Sequence, residues 1–240
     1  MRINFNLRSF DAIALIVAIL AGLVLLLAGP GYRLRAWSLP TAFMLLRWGA
    51  YGALLATALA AGALWRARGR SLFGLLALAI GVTAVAIPLR LQRAAAAAPP
   101  IHDITTDTAN PPAFTAIVPL RDGAPNTLEY SQEVARQQRA GYPEIKPLIL
   151  ELPVPQAFDL ALQAARDAGW EIVATDADAG RIEATDTTTF FGFKDDVVVR
   201  LTSIGSRTVI DVRSVSRVGR GDVGTNARRI REYLDRLSPL

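Results

Sequence analysis

The sequence predicts a three-helix transmembrane region followed by an α+β domain, ordered β-α-β-β-β-α, whose antiparallel sheet carries helices on one face. Three observations predict it. Apolar runs of 17–18 residues recur three times before residue 94. Charge divides the chain: residues 1–98 hold ten arginines against a single acid, Asp11, for +9, whereas residues 99–240 hold sixteen Lys+Arg against twenty Asp+Glu, for −4. Beyond Lys146, runs of alternating character are interrupted by two helical patterns with apolar stripes.

The apolar runs are IALIVAILAGLVLLLAG (13–29), WGAYGALLATALAAGALW (48–65) and LFGLLALAIGVTAVAIPL (72–89). A bilayer core needs about 20 apolar residues in a helix, and flanking residues such as Thr41–Leu46 extend the second run comfortably. Trp48 and Trp65 sit at its ends, where an indole satisfies both its ring and its N–H. Arg2 and Arg8 before the first run resemble a signal peptide, but no small-residue cleavage site follows and two further spans do. Gly52, Ala56 and Ala60 form a small-xxx-small row for close helix packing, which allows oligomers through the spans. No carboxylate, His or Lys lies inside these runs, so no proton relay is expected.

Orientation follows from arginines. Arg2, Arg8, Arg66, Arg68 and Arg70 fall on one side, and Arg33, Arg35, Arg47, Arg90 and Arg93 on the other. The tight RARGR loop (66–70) is the densest cluster and is placed in the cytoplasm. The expected location is a bacterial inner membrane, where three spans put the C-terminal half outside, in the periplasm. Arginines that flank apolar runs, without interleaved aromatics, hold a helix in lipid and make no nucleic-acid surface. The bilayer is therefore an expected partner and nucleic acid is not. The absence of cysteine excludes disulfides, thiol nucleophiles and thiolate metal sites.

The expected divisions are a three-span region (1–93), a linker and irregular segment with a short helix (94–145), and a soluble α+β domain (146–240). AAAAAPP (94–100) ends the third span, because Pro disfavours helix in the residue before it. PPIHDITTDTANPPAF (99–114) reads as irregular, and SQEVARQQRAG (131–141) as a short helix capped by Ser131 and ended at Gly141. KPLILEL (146–152) is a strand. PVPQAFDLALQAARDAG (153–169) is a helix with Phe158, Ala161, Leu162 and Ala165 on one side. WEIVATD (170–176), RIEATDTTTF (181–190), DVVVRLTSI (196–204) and RTVIDVRSVSRV (207–218) are strands, the last two joined at Gly205-Ser206. TNARRIREYLDRL (225–237) is a helix striped by Ala227, Ile230, Leu234 and Leu237.

GRGDVG (219–224) has the G-x-G-x-x-G form of a dinucleotide loop. That reading needs a following strand with an acidic residue about 20 positions on, and here the next helix is the last element. Arg-Gly-Asp is short enough to arise by chance. The expected role is structural: Gly219, Gly221 and Gly224 permit a sharp strand-to-helix reversal with positive φ, and Asp222 or Thr225 caps the helix. Helix N–H groups beside Arg217 and Arg220 also suit an anion, which is either Asp222 itself or an external ligand.

RSVSRVGRGDVGTNARRI (213–230), preceded by FGFKDDVVVRL (191–201), resembles the bacterial and plastid domain-of-unknown-function family 1499. There an F-x-D-D strand precedes a strand bearing R-S-x-S-R, which leads through G-x-x-D-x-G-x-N into the last helix. Arg213, Ser214, Ser216, Arg217, Gly219, Asp222, Gly224, Asn226 and Arg229 match, as do Asp195 and Asp196. PPIHDITTDTANPPAF and YPEIKPL (142–148) are similar to the segment of its membrane-anchored members. The resemblance spans residues 99–237. It implies an extracytoplasmic or lumenal α+β domain, brings no activity with it, and agrees with the outside orientation.

His102 is the sole histidine, so no Ser-His pair can be built elsewhere and no multi-His metal site can be built at all. His102, Asp103 and Asp107 are the metal candidates, although such residues in a Pro/Thr segment more often cap their own turns; no metal and no cofactor is expected. Asp195 and Asp196 are neighbours in a strand and point to opposite faces, so they cannot share a proton. Asp211, Arg213 and Arg217 alternate onto one face beside Arg200, with Ile210, Val212 and Ser214 on the other. That polar face is either a solvated surface laced with ion pairs or a binding surface for an acidic group. The candidate binding set is Arg213, Arg217, Arg220, Asp222, Asp195, Asp196 and Asn226. The expected function is a membrane-tethered binding or scaffolding module engaging an envelope protein or an anionic ligand such as a lipid. The competing reading is an envelope enzyme acting on an acidic lipid or glycan through the Asp/Arg cluster. A deep pocket around these residues favours the enzyme; a flat exposed face favours the module.

Overall fold

The computed structural model of the chain describes residues 7–238. It divides into two compact units, one of Met1–Arg93 with Phe190–Gly192, the other of Ala94–Thr189 and Phe193–Leu240. Arg2 lies outside the described residues, as does the side chain of Arg8.

In the first unit, α1 (Leu7–Arg33), α2 (Leu39–Arg66) and α3 (Leu72–Ala97) are each long and apolar enough to cross a membrane. At 1.5 Å per residue they run about 40 Å, longer than the three predicted runs and than a hydrocarbon core of about 30 Å. Ile16, Leu20, Leu26, Leu55 and Leu76 face outward and exposed, so the helices are apolar all round, as lipid requires. Between them the contacts are small: Ala14, Ala18, Ala56, Ala60 and Ala77 cluster in the interior. The predicted Gly52/Ala56/Ala60 row lies in this seam, where a Cβ on Gly52 would stand 3.1 Å from that of Ala21. One expectation needs correction. α1 begins before its apolar run and so takes in Asp11, a buried carboxylate that accepts a hydrogen bond from Ser71 Oγ at 2.5 Å. Ser71 Oγ in turn accepts from Gly74 N at 3.0 Å at the start of α3. Hydropathy located the apolar middle of the helix, whereas hydrogen-bonded helix continues past it.

The second unit is a six-stranded antiparallel sheet in the order β1 (Asp103–Thr105), β6 (Arg207–Ser216), β5 (Lys194–Ile204), β4 (Arg181–Thr187), β3 (Glu171–Asp176), with β2 (Leu148–Leu150) also on β6. From β2 onward the order is β-α-β-β-β-β-α, one strand longer than the predicted string, since the last three predicted strands each form after β3. β1 is also new. It lies in the segment read as irregular and pairs Asp103, Ile104 and Thr105 with Val215, Ser214 and Arg213. β1 and β2 share the edge of β6, and Thr106 fills the gap between them: its N–H donates to Val212 O and its Oγ1 accepts from Val212 N.

α5 (Val154–Asp167) and α6 (Thr225–Leu237) cover one face of the sheet. Ile182, Ala184, Val197, Val199, Ile210 and Val212 meet Phe158 and Ala161 of α5 and Ala227, Ile230 and Tyr233 of α6. Trp170 and Tyr233 stack at 4.7 Å, and Tyr233 donates to Ala161 O at 2.9 Å. The opposite face meets no long helix. Irregular chain lies over it, where Phe114, Ile117 and Leu128 pack on Val198 and Val215. α4 (Gln132–Gly141) closes this cover, capped as expected by Ser131, whose Oγ accepts from Val134 N. Its Gln138 mimics a strand, accepting from Thr105 N at 2.9 Å and donating to Thr105 O at 2.6 Å.

Candidate functional site

The β4–β5–β6 register puts three cross-strand rows on the face away from α5 and α6: Thr185–Asp196–Val215, Glu183–Val198–Arg213 and Arg181–Arg200–Asp211. The predicted alternation of Asp211, Arg213 and Arg217 is therefore present. The face is not solvated, because residues 106–130 cover it, and Asp211 and Arg213 are buried.

Asp196, at 0% exposure, is the centre of one network. Its Oδ2 accepts from Arg121 Nη1 at 2.5 Å and from Arg217 Nε at 2.9 Å; its Oδ1 accepts from Arg217 Nη2 and Thr185 Oγ1, each at 2.8 Å. Two guanidiniums thus share one desolvated carboxylate. Arg213 makes a bidentate pair with Asp103, at 3.0 and 2.7 Å. Its guanidinium carbon lies over the rings of Phe114 and Tyr130, 5.5 and 5.6 Å from their centroids. Burial pushes the Asp103 carboxyl above its ordinary value, and the Arg213 guanidinium opposes that push. Arg200 joins Asp211 at 2.8 Å and Asp107 at 3.0 Å.

Asp195 faces the other way, as the strand period requires, and belongs to a second network under α6. Arg229 Nη2 donates to Asp195 at 2.6 Å, Arg229 Nε to Asp186 at 2.8 Å, and Arg229 Nη1 to Ser214 Oγ at 3.0 Å. Asn226, fully buried, accepts from Ser214 Oγ at 2.7 Å and donates to His102 O and Ser216 Oγ, both at 2.9 Å.

The glycine corner joins β6 to α6. Asp222 caps the helix, accepting from Gly224 N at 2.9 Å and Asn226 N at 2.6 Å; Thr225 does not. Gly219 and Gly224 adopt positive φ, 105° and 76°, as expected. Gly221 does not. Its missing Cβ instead makes room for Pro100, whose Cα would be 3.2 Å away. The third left-handed position is Val223, at φ 55°. Arg220, Gly221 and Val223 are exposed, and burial raises the Asp222 carboxyl against the pull of its two N–H donors. Beside Gly224, the Tyr142 hydroxyl is buried without a hydrogen-bond partner among the described residues.

The three metal candidates do not converge. Asp103 is held by Arg213, Asp107 by Arg200 and by the N–H groups of Ala109 and Asn110, and His102 Nδ1 stands 3.4 Å from Arg220 O. A groove of about 730 Å³ lined by Leu150, Leu152, Leu160 and Leu237 holds none of the candidate residues. A crevice of about 110 Å³ beside α6 reaches Arg229 and Asp186. Sequence reasoning missed Arg121 and Asp186 as members of the networks, and Glu183, which accepts from the N–H groups of Thr115, Ala116 and Ile117 in the cover. Glu183 carried a signal, since it alternates with Thr185 as Asp211 does with Arg213; Arg121, in the VPLRDG stretch, carried none.

The model of a family described as a protein of unknown function (DUF1499) matches residues 103–237, more than half of the sequence. The chain belongs to this family. No curated protein matches it. The DUF1499 match opens on Asp103, the partner of Arg213, and closes on Leu237 at the end of α6. It therefore takes in β1, the irregular cover and both charged networks, and leaves the three apolar helices outside.

Proposed function

We propose that this DUF1499 protein is a multi-pass protein of the bacterial inner membrane whose sheet domain stands in the periplasm and binds an envelope partner without doing chemistry on it. The contact surface is the Gly219–Gly224 corner. Val223 carries this reading: a β-branched residue holds a left-handed backbone at φ 55° while 38% of its surface is exposed. Such strain costs on the order of 1–3 kcal/mol and persists only where its surroundings impose it. Here Asp222, which accepts from Asn226 N, and the buried Asn226 hold the flanking backbone, while Val223 itself stays exposed. A rigid tip with an apolar side chain and exposed Arg220 suits a partner with an apolar pocket and an acidic rim.

The remaining charged candidates are engaged inside the fold, which favours binding over the enzyme reading: Arg213, Arg217 and Arg229 each hold a carboxylate. The RARGR loop, between the second and third of the three apolar helices among the described residues, favours the outside placement.

A photo-crosslinking residue at position 220, with position 178 in the exposed β3–β4 turn as control, tests this in living cells. A discrete adduct at 220 and none at 178 is expected; adducts at both positions or at neither overturn it. A reporter that works only in the periplasm, fused after Leu240, is expected to be active. Activity from a cytoplasm-only reporter contradicts the orientation.

A further inference from the structure

Residues Phe190–Gly192, between β4 and β5 in the chain, group with the apolar helices. The Phe191 ring lies edge-on to Tyr32 at 6.2 Å and tilted on Phe43 at 5.7 Å. The Phe190 ring occupies the space left by Gly29, where a Cβ would come within 2.5 Å of it. Gly192, at φ 69°, lies against the Arg33 side chain, and Gly31 opens space for the Trp37 ring, whose Nε1 donates to Ala28 O at 2.9 Å. Two glycines of α1 thus admit two aromatic rings at the end of that helix. Tyr32, Phe43, Phe190 and Phe191 form one aromatic group at the α1–α2 turn.

We propose that the Phe190-Phe191-Gly192 turn is a lipid contact, seated in the interfacial layer of the bilayer at the level of the α1–α2 turn. Aromatic rings concentrate at that depth because headgroups and upper acyl chains satisfy both ring and polar edge. Phe190 remains 38% exposed and Leu34, in the adjoining turn, 80%. Together they leave an apolar patch that water does not favour. Arg33 and Arg35 stand exposed on either side of Leu34 in the chain, the arrangement in which long cationic side chains reach anionic phosphates above a buried apolar stem. A second copy of the chain is the poorer occupant, since a two-fold contact would bring these like charges together.

The chain has no cysteine, so single-cysteine spin labelling reads depth without background. Phe190→Cys, Thr187→Cys and Asp178→Cys chains are placed in vesicles of phosphatidylethanolamine and phosphatidylglycerol, and collision with oxygen is compared with collision with a water-soluble nickel chelate. The oxygen-to-nickel ratio is expected to be several-fold higher at 190 than at 178, with 187 between them. An equal ratio at 190 and 178 overturns the proposal. So does dipolar broadening at 190 that disappears on dilution with unlabelled chain, which would put a second copy over the turn. If Phe190→Cys does not fold, Phe190→Trp retains an aromatic ring. Its added emission is expected to be quenched by lipids brominated high on the acyl chain, and emission quenched only by aqueous iodide contradicts the assignment. The inference rests on the membrane-spanning reading of the three helices, and none of these outcomes bears on the glycine corner.

Discussion

On one side of the sheet Val197, Val199, Ile210 and Val212 meet two helices; on the other, the same strands present Glu183, Asp196, Asp211 and Arg213 to irregular chain. The difference lies in what each cover brings with it. A helix satisfies its own backbone, so an apolar sheet face is enough to hold it. Irregular chain arrives with unpaired N–H and C=O groups, which must find partners once water is excluded. Here side chains on this face of the sheet supply several of them. Glu183 accepts from Thr115 N, Ala116 N and Ile117 N at 2.9, 3.1 and 2.9 Å. Arg213 donates to Pro112 O at 3.2 Å and Leu128 O at 2.7 Å, and Arg217 donates to Leu120 O at 2.8 Å. Arg121, itself part of the cover, donates to Asn126 O at 3.0 Å. The charges pair with one another and template the loop in the same geometry.

Substitutions can break this contrast. Asp196→Ala leaves Arg121 and Arg217 unpaired in the interior and is expected to cost about 3–5 kcal/mol, read from urea unfolding of the sheet domain in the detergent-solubilised chain. Asp196→Asn should cost clearly less, because it keeps an acceptor. Glu183→Gln keeps the shape but turns one accepting oxygen into a donating NH2, so at least one of the three N–H bonds is lost and the rest lose their charge assistance. It is expected to cost about 1–3 kcal/mol, with hydrogen-exchange protection lost first at Thr115, Ala116 and Ile117. On the helix side, Ile210→Val removes one buried methyl and is expected to cost about 0.5–1.5 kcal/mol, spread evenly over α5 and α6. In urea unfolding, Ile210→Val should lower the transition without uncoupling the two faces.

The smallest effect sharpens the glycine corner. Burial raises the folded-state pKa of Asp222 above its ordinary value of 3.8, so its stabilising contribution is full below that value. It is lost as pH rises through the folded-state pKa. Asp222→Asn, which does not titrate, should therefore lose most relative to the parent in acid and least at neutral pH. Urea midpoints taken across that range check the sign; a penalty that grows toward neutral pH contradicts it.

Much of this was legible in the sequence, for local reasons. The α5 and α6 stripes, the Ser131 cap, the Gly205-Ser206 turn and the alternation along β6 are all written within a few residues of where they act. The polar face was legible as polar but not as covered, because Asp and Arg alternate with apolar residues whether they face water or an irregular segment. β1 escaped notice since three residues carry no period, and its partner Val215 is more than a hundred positions away. At the corner, composition pointed to three flexible glycines, whereas packing against Pro100 fixes Gly221 and moves the left-handed turn to Val223.

The central claim is that the charged sheet face exists to satisfy the backbone of its irregular cover. Residue-resolved hydrogen exchange on the Glu183→Gln chain tests it most directly. The account predicts protection falling about tenfold or more, the exchange equivalent of roughly 1.4 kcal/mol, at Thr115, Ala116 and Ile117, with α5 and α6 unchanged. Equal loss on both faces, or none at those three amides, would contradict it.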